Sequence, residues 1–336
     1  MREGMKVRKF DATVVIPVYN IRQVLKRTLA GILDQDYPNY EVVVVDDGST
    51  DGTEELFSLW RPASEALGSG LLKYVKLTQN RGRAAARNEG IRRAGGEVII
   101  FLDGDNVPCR RFVAEHLLAH RRWTGIVTVG NVELSEELLG SRFARFWNRR
   151  YVGNRRGLDL NDLPFYFPGT SNGSVRREDL LRAGCFDEEF RHYGGEDEDL
   201  WYRLCVLMGL RNVFVRGAVT VHSDPGFSYP RSLERIRTYS RCSVPVLLRK
   251  HPGYLNTGIF IRLLEPLDIR KDRPSDLPKK ALLALATSGP WIGWIEKATF
   301  RWEFGGPRVP GFLYGLVLCR HYRAGVRERK ALLRMG

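Results

Sequence analysis

The sequence predicts an α/β fold: a mixed, mainly parallel sheet flanked by helices, followed by a basic helical C-terminal segment. Three observations carry this. Between Thr13 and Leu102, short apolar runs rich in β-branched residues alternate with stretches of helical spacing, the pattern of strands laid parallel with crossover helices. Polar, acid-rich turns follow those runs, where open α/β sheets gather ligands. Finally, Gly226–Gly336 holds 21 Lys and Arg against 8 Asp and Glu, a net +13 out of the chain's +14. A chain of 336 residues that is 43% hydrophobic is long and apolar enough for one large domain plus an appendage, which excludes a mainly disordered protein.

The elements follow in order. Thr13–Val18 (TVVIPV) reads as a buried strand. Ile21–Leu33 carries apolar residues at helical spacing (Val24, Leu25, Leu29, Ile32). Tyr40–Val45 is a second buried strand, ending in Asp46-Asp47-Gly48-Ser49. Thr53–Trp60 reads as a helix, Leu72–Leu77 as a strand, Gly82–Ala94 as a helix and Glu97–Leu102 as a fourth strand. Beyond Asn106 the alternation loosens. Helices are expected at Phe112–Arg121, Leu138–Tyr151, Arg177–Ala183 and Asp199–Leu210, and strands at Thr124–Val132, Gly169–Val175 and Asn212–Val221. Gly153–Pro164, polar and glycine-containing, reads as a mobile loop. Turn residues and the shift in charge put a boundary near Asp224-Pro225-Gly226.

Five cysteines show neither paired nor zinc-type spacing, which fits reduced thiols in a cytoplasmic protein. Met1–Asp11 is charged and has no apolar core, so no signal peptide is expected. Ala281–Ile295 is uncharged but interrupted by Ser288-Gly289-Pro290, and it falls short of a membrane span. Lys279, Lys280, Lys297 and Arg301 flank it, with Trp291, Trp294 and Trp302 interleaved. That mixture fits either a segment lying on anionic lipid or a helix packed on the preceding domain.

Four clusters carry chemistry. Asp103 and Asp105 follow the apolar strand Val98–Leu102; two residues apart on an extended chain, their carboxylates can face one pocket and offer hard oxygen ligands to Mg2+ or Mn2+. Asp46 and Asp47 end another strand, where acids either accept bonds from a nucleotide or cap the next helix. Arg81, Arg83 and Arg87 open a helix beside small alanines, and one of the three is expected to reach a diphosphate. Glu196-Asp197-Glu198-Asp199 follows Gly194-Gly195 at a helix start. Four acids exceed what the helix dipole needs, and Asp197 is the expected general base. His222, at a strand end, can join two carboxylates on a metal, although a lone histidine is usually structural.

These residues resemble family 2 glycosyltransferases of the GT-A (Rossmann-like) fold. The matching pieces, in order, run from Val15-Ile16-Pro17-Val18-Tyr19-Asn20 through Val45-Asp46-Asp47-Gly48-Ser49 and Asn80-Arg81-Gly82…Ala86-Arg87-Asn88 to Phe101-Leu102-Asp103-Gly104-Asp105. Gly169-Thr170-Ser171-Asn172-Gly173-Ser174, Gly184-Cys185-Phe186-Asp187-Glu188 and Gly195-Glu196-Asp197-Glu198-Asp199-Leu200 complete the set. The resemblance implies a catalytic domain over 1–225, with a nucleotide-binding half at 11–105 and an acceptor half at 106–225, and a partly amphipathic segment over 226–336. It implies Pro17, Tyr19 and Asp47 around the base and ribose, and Asp103 at the ribose or the metal's water shell. Asp105 and His222 would be metal ligands, and Gly169, Thr170 and Ser171 would shape the sugar pocket. Asp197 would be the base, supported by Glu196. The implied cofactor is Mn2+ or Mg2+. The donor would be a nucleotide sugar, UDP-linked by default, and the outcome inversion.

The acceptor is expected to be a glycan or a lipid-linked hydroxyl, at the inner face of the cell membrane. A retaining transferase or a nucleotidyltransferase would use the same fold. A nucleic-acid-binding protein would use the basic segment, but no recognition motif accompanies that charge and no nucleic-acid partner is expected. A catalytically inert carbohydrate-binding or scaffold protein fits poorly with intact carboxylates at both clusters.

Overall fold

The computed structural model describes residues 10–57, 72–149, 157–224, 226–257, 259–269 and 272–335. They fall into two compact units. The first comprises Met1–Ser135, Arg155–Arg191 and Glu196–Asp224; the second comprises Glu136–Asn154, His192–Gly195 and Pro225–Gly336. Two internal pieces of chain thus group with the C-terminal segment.

The first unit is built on eight strands: β1 (Phe10–Val18), β2 (Tyr40–Asp46), β3 (Leu72–Lys76), β4 (Gly96–Leu102), β5 (Asn106–Pro108), β6 (Ile126–Leu134), β7 (Asn172–Arg176) and β8 (Arg211–His222). Their order is β3-β2-β1-β4-β7-β6-β8-β5. β3, β2, β1 and β4 are parallel neighbours. β7 runs antiparallel between β4 and β6, β6 and β8 are parallel, and β5 pairs antiparallel with β8. Every residue of β2 is buried, and Val42–Val45 run apolar with no alternation, as expected of a strand covered on both faces; the buried Glu41 is bonded by Thr13 Oγ1, which donates to it at 2.8 Å.

Helix α1 (Arg22–Leu33) buries Leu25, Leu29 and Ile32 against this sheet. Helix α2 (Arg83–Arg93) lies close to β1 because its inner face is Ala84, Ala85, Ala86 and Gly90. A Cβ on Gly90 would come 2.4 Å from Val15 Cγ1. Helix α3 (Phe112–Arg122) covers β6 and β8. Helix α4 (Arg177–Arg182) follows β7 directly, and α5 (Glu196–Trp201) continues into π-helical turns over Tyr202–Leu207. The regular helix expected over Asp199–Leu210 is therefore widened after one and a half turns, a geometry that apolar residues at helical spacing tolerate.

Two more expectations differ in detail. The helix predicted over Leu138–Tyr151 is divided in two, Glu136–Leu139 and Arg142–Trp147. The division falls at Gly140-Ser141, where Ser141 Oγ accepts the Ala144 N–H at 3.0 Å and caps the second piece. The loop predicted over Gly153–Pro164 lies partly outside the described residues, and its described part is anchored. Leu163 N donates to Asn212 O at 2.6 Å and Phe214 N to Leu160 O at 2.8 Å, fastening it along β8.

The second unit is helical. Its longest element, Gly311–Met335, packs on the helix Tyr229–Thr238 and the π-helical turns after it. Gly325 sits at that crossing, where a Cβ would stand 2.1 Å from Ser240 Oγ. Phe143, Tyr229, Ile292, Tyr314 and Val317 form the core of this unit. Glu303, almost fully buried, accepts from Phe143 N and Tyr314 OH and so joins three segments. None of the described helices is long and apolar enough to cross a membrane.

A buried polar network fastens α3 to the sheet. His116 Nδ1 is 2.8 Å from Thr128 Oγ1, and its Nε2 is 3.0 Å from Asn172 Oδ1. His120 Nε2 is 2.9 Å from Ser174 Oγ, which also bonds Thr128 Oγ1. Burial holds His116 down to about 4 and, with the neighbouring charges of His116 and Arg176, holds His120 down to about 3. Both rings are neutral in the folded protein, whereas the unfolded chain takes up their protons near the ordinary histidine value. The stability they contribute is complete above that value and drains away as pH falls toward their folded values. Denaturant unfolding should show a loss of roughly 1 kcal/mol per histidine per pH unit between about pH 6 and pH 4.5. The double variant His116→Gln/His120→Gln should have a flatter profile, and an unchanged slope would remove the histidines from the account.

Candidate active site

The carboxyl ends of β1, β2 and β4 share one edge of the sheet, and the turns after them are stitched together. Asp47 N donates to Val18 O at 2.9 Å; Asn20 N donates to Ser49 Oγ and Thr50 N to Asn20 Oδ1, each at 2.9 Å. Asn20 adopts φ 52°, a left-handed conformation that asparagine tolerates. Asp46 accepts from Ser49 N at 2.7 Å and from Tyr74 OH at 2.5 Å. Asp47 accepts from Arg81 N at 2.7 Å and Gly82 N at 2.8 Å, which fixes the loop leading into α2. Burial raises the Asp47 carboxyl above the ordinary range despite those bonds. Pro17 is half-buried within β1, and Tyr19 just beyond it is 47% exposed.

After β4 the chain turns sharply at Gly104, where a Cβ would meet Ile21 and Val18 side chains within 3 Å. Thr28 Oγ1 donates to Gly104 O at 2.9 Å. Ser171 O accepts from Asp103 N and from Asn106 Nδ2, so the Gly169-Thr170-Ser171 segment holds the same turn from the β7 side. Gly169 itself has no room for a side chain: a Cβ would lie 2.4 Å from Thr128 O and 2.9 Å from the Trp201 ring.

The pairing of β5 with β8 sets the geometry of a cluster that could hold a metal ion. Its register places Asn106 opposite His222. Asp105 therefore meets His222, with Oδ1 3.4 Å from Nδ1, and Ser223 N donates to Asp105 O at 3.0 Å. One ligand atom each from Asp105, His222 and Asp224 all lie within 4.8 Å of one another. Asp105 Oδ1 is buried, and its 3.4 Å contact with His222 Nδ1 falls short of hydrogen-bond geometry. Burial opposes its ionisation, but the His222 contact and the charges of His222 and Arg83 outweigh burial and hold the carboxyl below its usual range. Reciprocally, burial disfavours a charged His222, but its contacts with Asp105 and the nearby Asp103 and Asp224 raise it overall. Asp224 had been read only as a turn residue. The signal for it was its two-residue spacing from His222, the same spacing that singled out Asp103 and Asp105.

Arg87 joins this cluster to the second acidic run. It is 2% exposed, with Nη2 3.0 Å from Asp103 Oδ1 and Nη1 3.1 Å from Glu196 Oε1. Of the three arginines considered for a diphosphate, Arg87 is thus committed to carboxylates. The Arg81 guanidinium pairs with Glu188 at 2.9 Å, while the charge of Arg83 acts on both Asp103 and Asp105. Asp103 stands above its ordinary value, through burial and the Asp105 charge, against the pull of Arg87.

The four acids at the start of α5 have separate surroundings. Glu196 faces Arg87. Asp199 pairs with Arg203 at 2.5 Å, and Arg203 also donates to Cys185 O at 2.8 Å. Asp197 accepts a local bond from Glu198 N, at 2.9 Å. Burial, reinforced by the Glu196 charge, pushes it up to about 6. A carboxylate poised there is suited to proton transfer near neutral pH.

The profile of Glycosyl transferase family 2 matches residues 13–181, half of the chain, and the chain belongs to this family. It is 27% identical over 260 residues to an uncharacterized glycosyltransferase of Bacillus subtilis (strain 168), YfnE, covering 63% of this chain and 64% of that one. It is 29% identical over 244 residues to a chondroitin synthase of Escherichia coli, covering 63% of this chain and 34% of the synthase. The chain therefore spans between a third and two thirds of the length of these relatives. Among solved structures, its fold is similar to that of the mannosyltransferase PcManGT from Pyrobaculum calidifontis in complex with GDP-Man and Mn2+. The TM-score is 0.63 at 22% identity, over 95% of this chain and 87% of that one. Fold and family thus agree with the resemblance read from the sequence.

Arg87 should be essential to the fold's stability. Arg87→Met leaves Glu196 buried and Asp103 half-buried without their counter-charge, a change that typically costs about 3 kcal/mol. Urea unfolding of the variant measures this, and a loss under about 1 kcal/mol would show that the bridge is not formed.

Proposed function

We propose that this protein is a metal-dependent, inverting glycosyltransferase. It moves a sugar from a nucleotide-diphosphate sugar, UDP-linked by default, to a hydroxyl of a glycan or lipid-linked acceptor. It works peripherally at the inner face of the cell membrane. The observation that carries the reading is the Arg87 bridge, which ties the Asp103–Asp105 turn to the α5 acids in one site.

The residues fit a divalent cation. Asp105 Oδ1 is buried beside His222 Nδ1, and Asp105, His222 and Asp224 offer two hard oxygens and an imidazole at ligand spacing. Asp105 and His222 would hold Mn2+ or Mg2+ with Asp224 as a third ligand, and Asp103 would border its water shell. When bound, the metal supplies positive charge against the diphosphate as the leaving group departs. Pro17, Tyr19 and Asp47 form the base and ribose side. Arg83, whose field already reaches both aspartates, is the arginine best suited to the phosphates. Arg81 supports the loop through its backbone bond to Asp47. Gly169, Thr170 and Ser171 bound the sugar.

Asp197 accepts the proton of the acceptor hydroxyl. The freed oxygen pair forms the new bond to the anomeric carbon from the face opposite the diphosphate. The old carbon–oxygen bond breaks, and its electron pair leaves with the nucleoside diphosphate. Glu196, held by Arg87, keeps a negative neighbour beside Asp197 and so sustains its basicity.

Asp197→Asn should retain donor binding but lower transfer at least ~100-fold. In the unaltered enzyme, kcat/KM should fall as pH drops through about 6, because only the ionised Asp197 accepts the proton. Near-normal turnover of the variant, or a flat acid limb, would refute the assignment. Asp105→Ala should lose manganese-dependent UDP binding in calorimetry, whereas unchanged affinity would contradict the ligand set. Product stereochemistry by NMR separates inversion from retention, and pyrophosphate release would indicate nucleotidyl transfer instead.

A further inference from the structure

The C-terminal unit contains two consecutive helices that each turn large apolar side chains outward, although the second also buries Ile292 in the core of the unit. Helix α6 (Leu277–Ser288) and helix α7 (Trp291–Arg301) meet at Gly289-Pro290. On α6, Leu282 is 69% exposed and Leu285 is 65% exposed. These two are three residues apart and so share a face. The buried positions of α6 are Lys280 and Thr287, and Lys280 Nζ pairs with Asp272 at 2.5 Å. On α7, Trp294 is 76% exposed and Trp291 is half exposed, while Thr299 is buried, bonded to Tyr229 OH at 3.0 Å. Trp291 lies flat over Gly289, where a Cβ would come 2.1 Å from its ring. Phe304, just past α7, is 82% exposed. A contiguous set of large apolar side chains facing solvent marks a surface suited to an apolar or interfacial partner.

The geometry points to these two helices as a membrane-docking surface whose occupant is the headgroup region of an anionic lipid bilayer. The exposed aromatic and aliphatic side chains are interleaved with exposed Lys279, Lys297 and Arg301. That combination inserts apolar groups at the acyl boundary and sets cations against lipid phosphates. The segment from Gly226 onward has a charge of +13, which matches an anionic surface. With no described helix able to cross a bilayer, docking would be in the plane of the membrane. A second copy of the chain fits this face less well, because a symmetric pair would set Lys279, Lys297 and Arg301 near their own equivalents.

The inference deepens the peripheral-membrane part of the proposed function and rests on it for location, but it needs nothing from the transfer chemistry. The test uses the full chain and its double variant Leu285→Gln/Trp294→Gln, sedimented with phosphatidylcholine vesicles containing none or about a third phosphatidylglycerol. Binding to the anionic vesicles should exceed binding to neutral ones and weaken with salt. The variant should bind at least ~10-fold more weakly while melting at the same temperature, since the replaced side chains are exposed. Equal binding of both forms would reduce the attraction to charge alone and overturn the proposal. So would absence of vesicle binding, or a dimer lost in the variant without lipid binding. Transfer to a soluble acceptor, measured in parallel, should be unaffected by the variant. Loss of all transfer with vesicle binding intact would refute the chemistry and leave the docking surface standing.

Discussion

A single buried guanidinium organises the candidate active site. Arg87 is nearly inaccessible, yet it lies between Asp103, at the end of β4, and Glu196, at the start of α5. Isolated carboxylates in such surroundings would tend to take up protons. With Arg87 in place, the two acidic runs, ninety residues apart in sequence, can stand together as charges. The residue reaches this position because α2 packs closely on β1 through alanines and Gly90, which carries its side chain inward rather than toward solvent.

From that arrangement the acids acquire different properties. Against its burial, Asp105 is held below its usual range by the His222 contact and the charges of His222 and Arg83. Asp197 is pushed in the opposite direction, by burial and by Glu196, to a value near neutrality. Asp199 is bound to Arg203 and braces the chain around Ala183–Cys185. Identical or similar side chains thus acquire different charge states and partners according to their neighbours. Such divergence between titratable groups is how a fold assigns acid and base work.

Much of the fold was legible in the sequence, because strands covered on both faces carry runs of consecutive apolar residues. Thr13–Val18, Tyr40–Val45 and Glu97–Leu102 could hardly be anything else, and the polar residues after them marked the site's edge. The remainder depended on non-local register. β5 is three residues long and has no periodicity to read, yet its pairing with β8 is what brings Asp105 to His222 and Asp224. Arg87 looked like its neighbours Arg81 and Arg83, because nothing in a run of basic residues says which one will be enclosed. The π-helical turns after Trp201 leave the apolar spacing almost intact and so stayed hidden. The outward apolar side chains of α6 and α7 were also beyond reach, since only packing reveals which stripe of a helix is turned outward.

The most direct measurement of the central claim is a crystal structure with Mn2+ and a nucleotide sugar, read through the anomalous signal of manganese. A peak bounded by Asp105, His222 and Asp224 is expected, with both Arg87 ion pairs intact and the Asp197 carboxylate directed at the face of the sugar opposite the diphosphate. A peak elsewhere, or an Asp197 side chain opening into a different cavity from the donor, would contradict it.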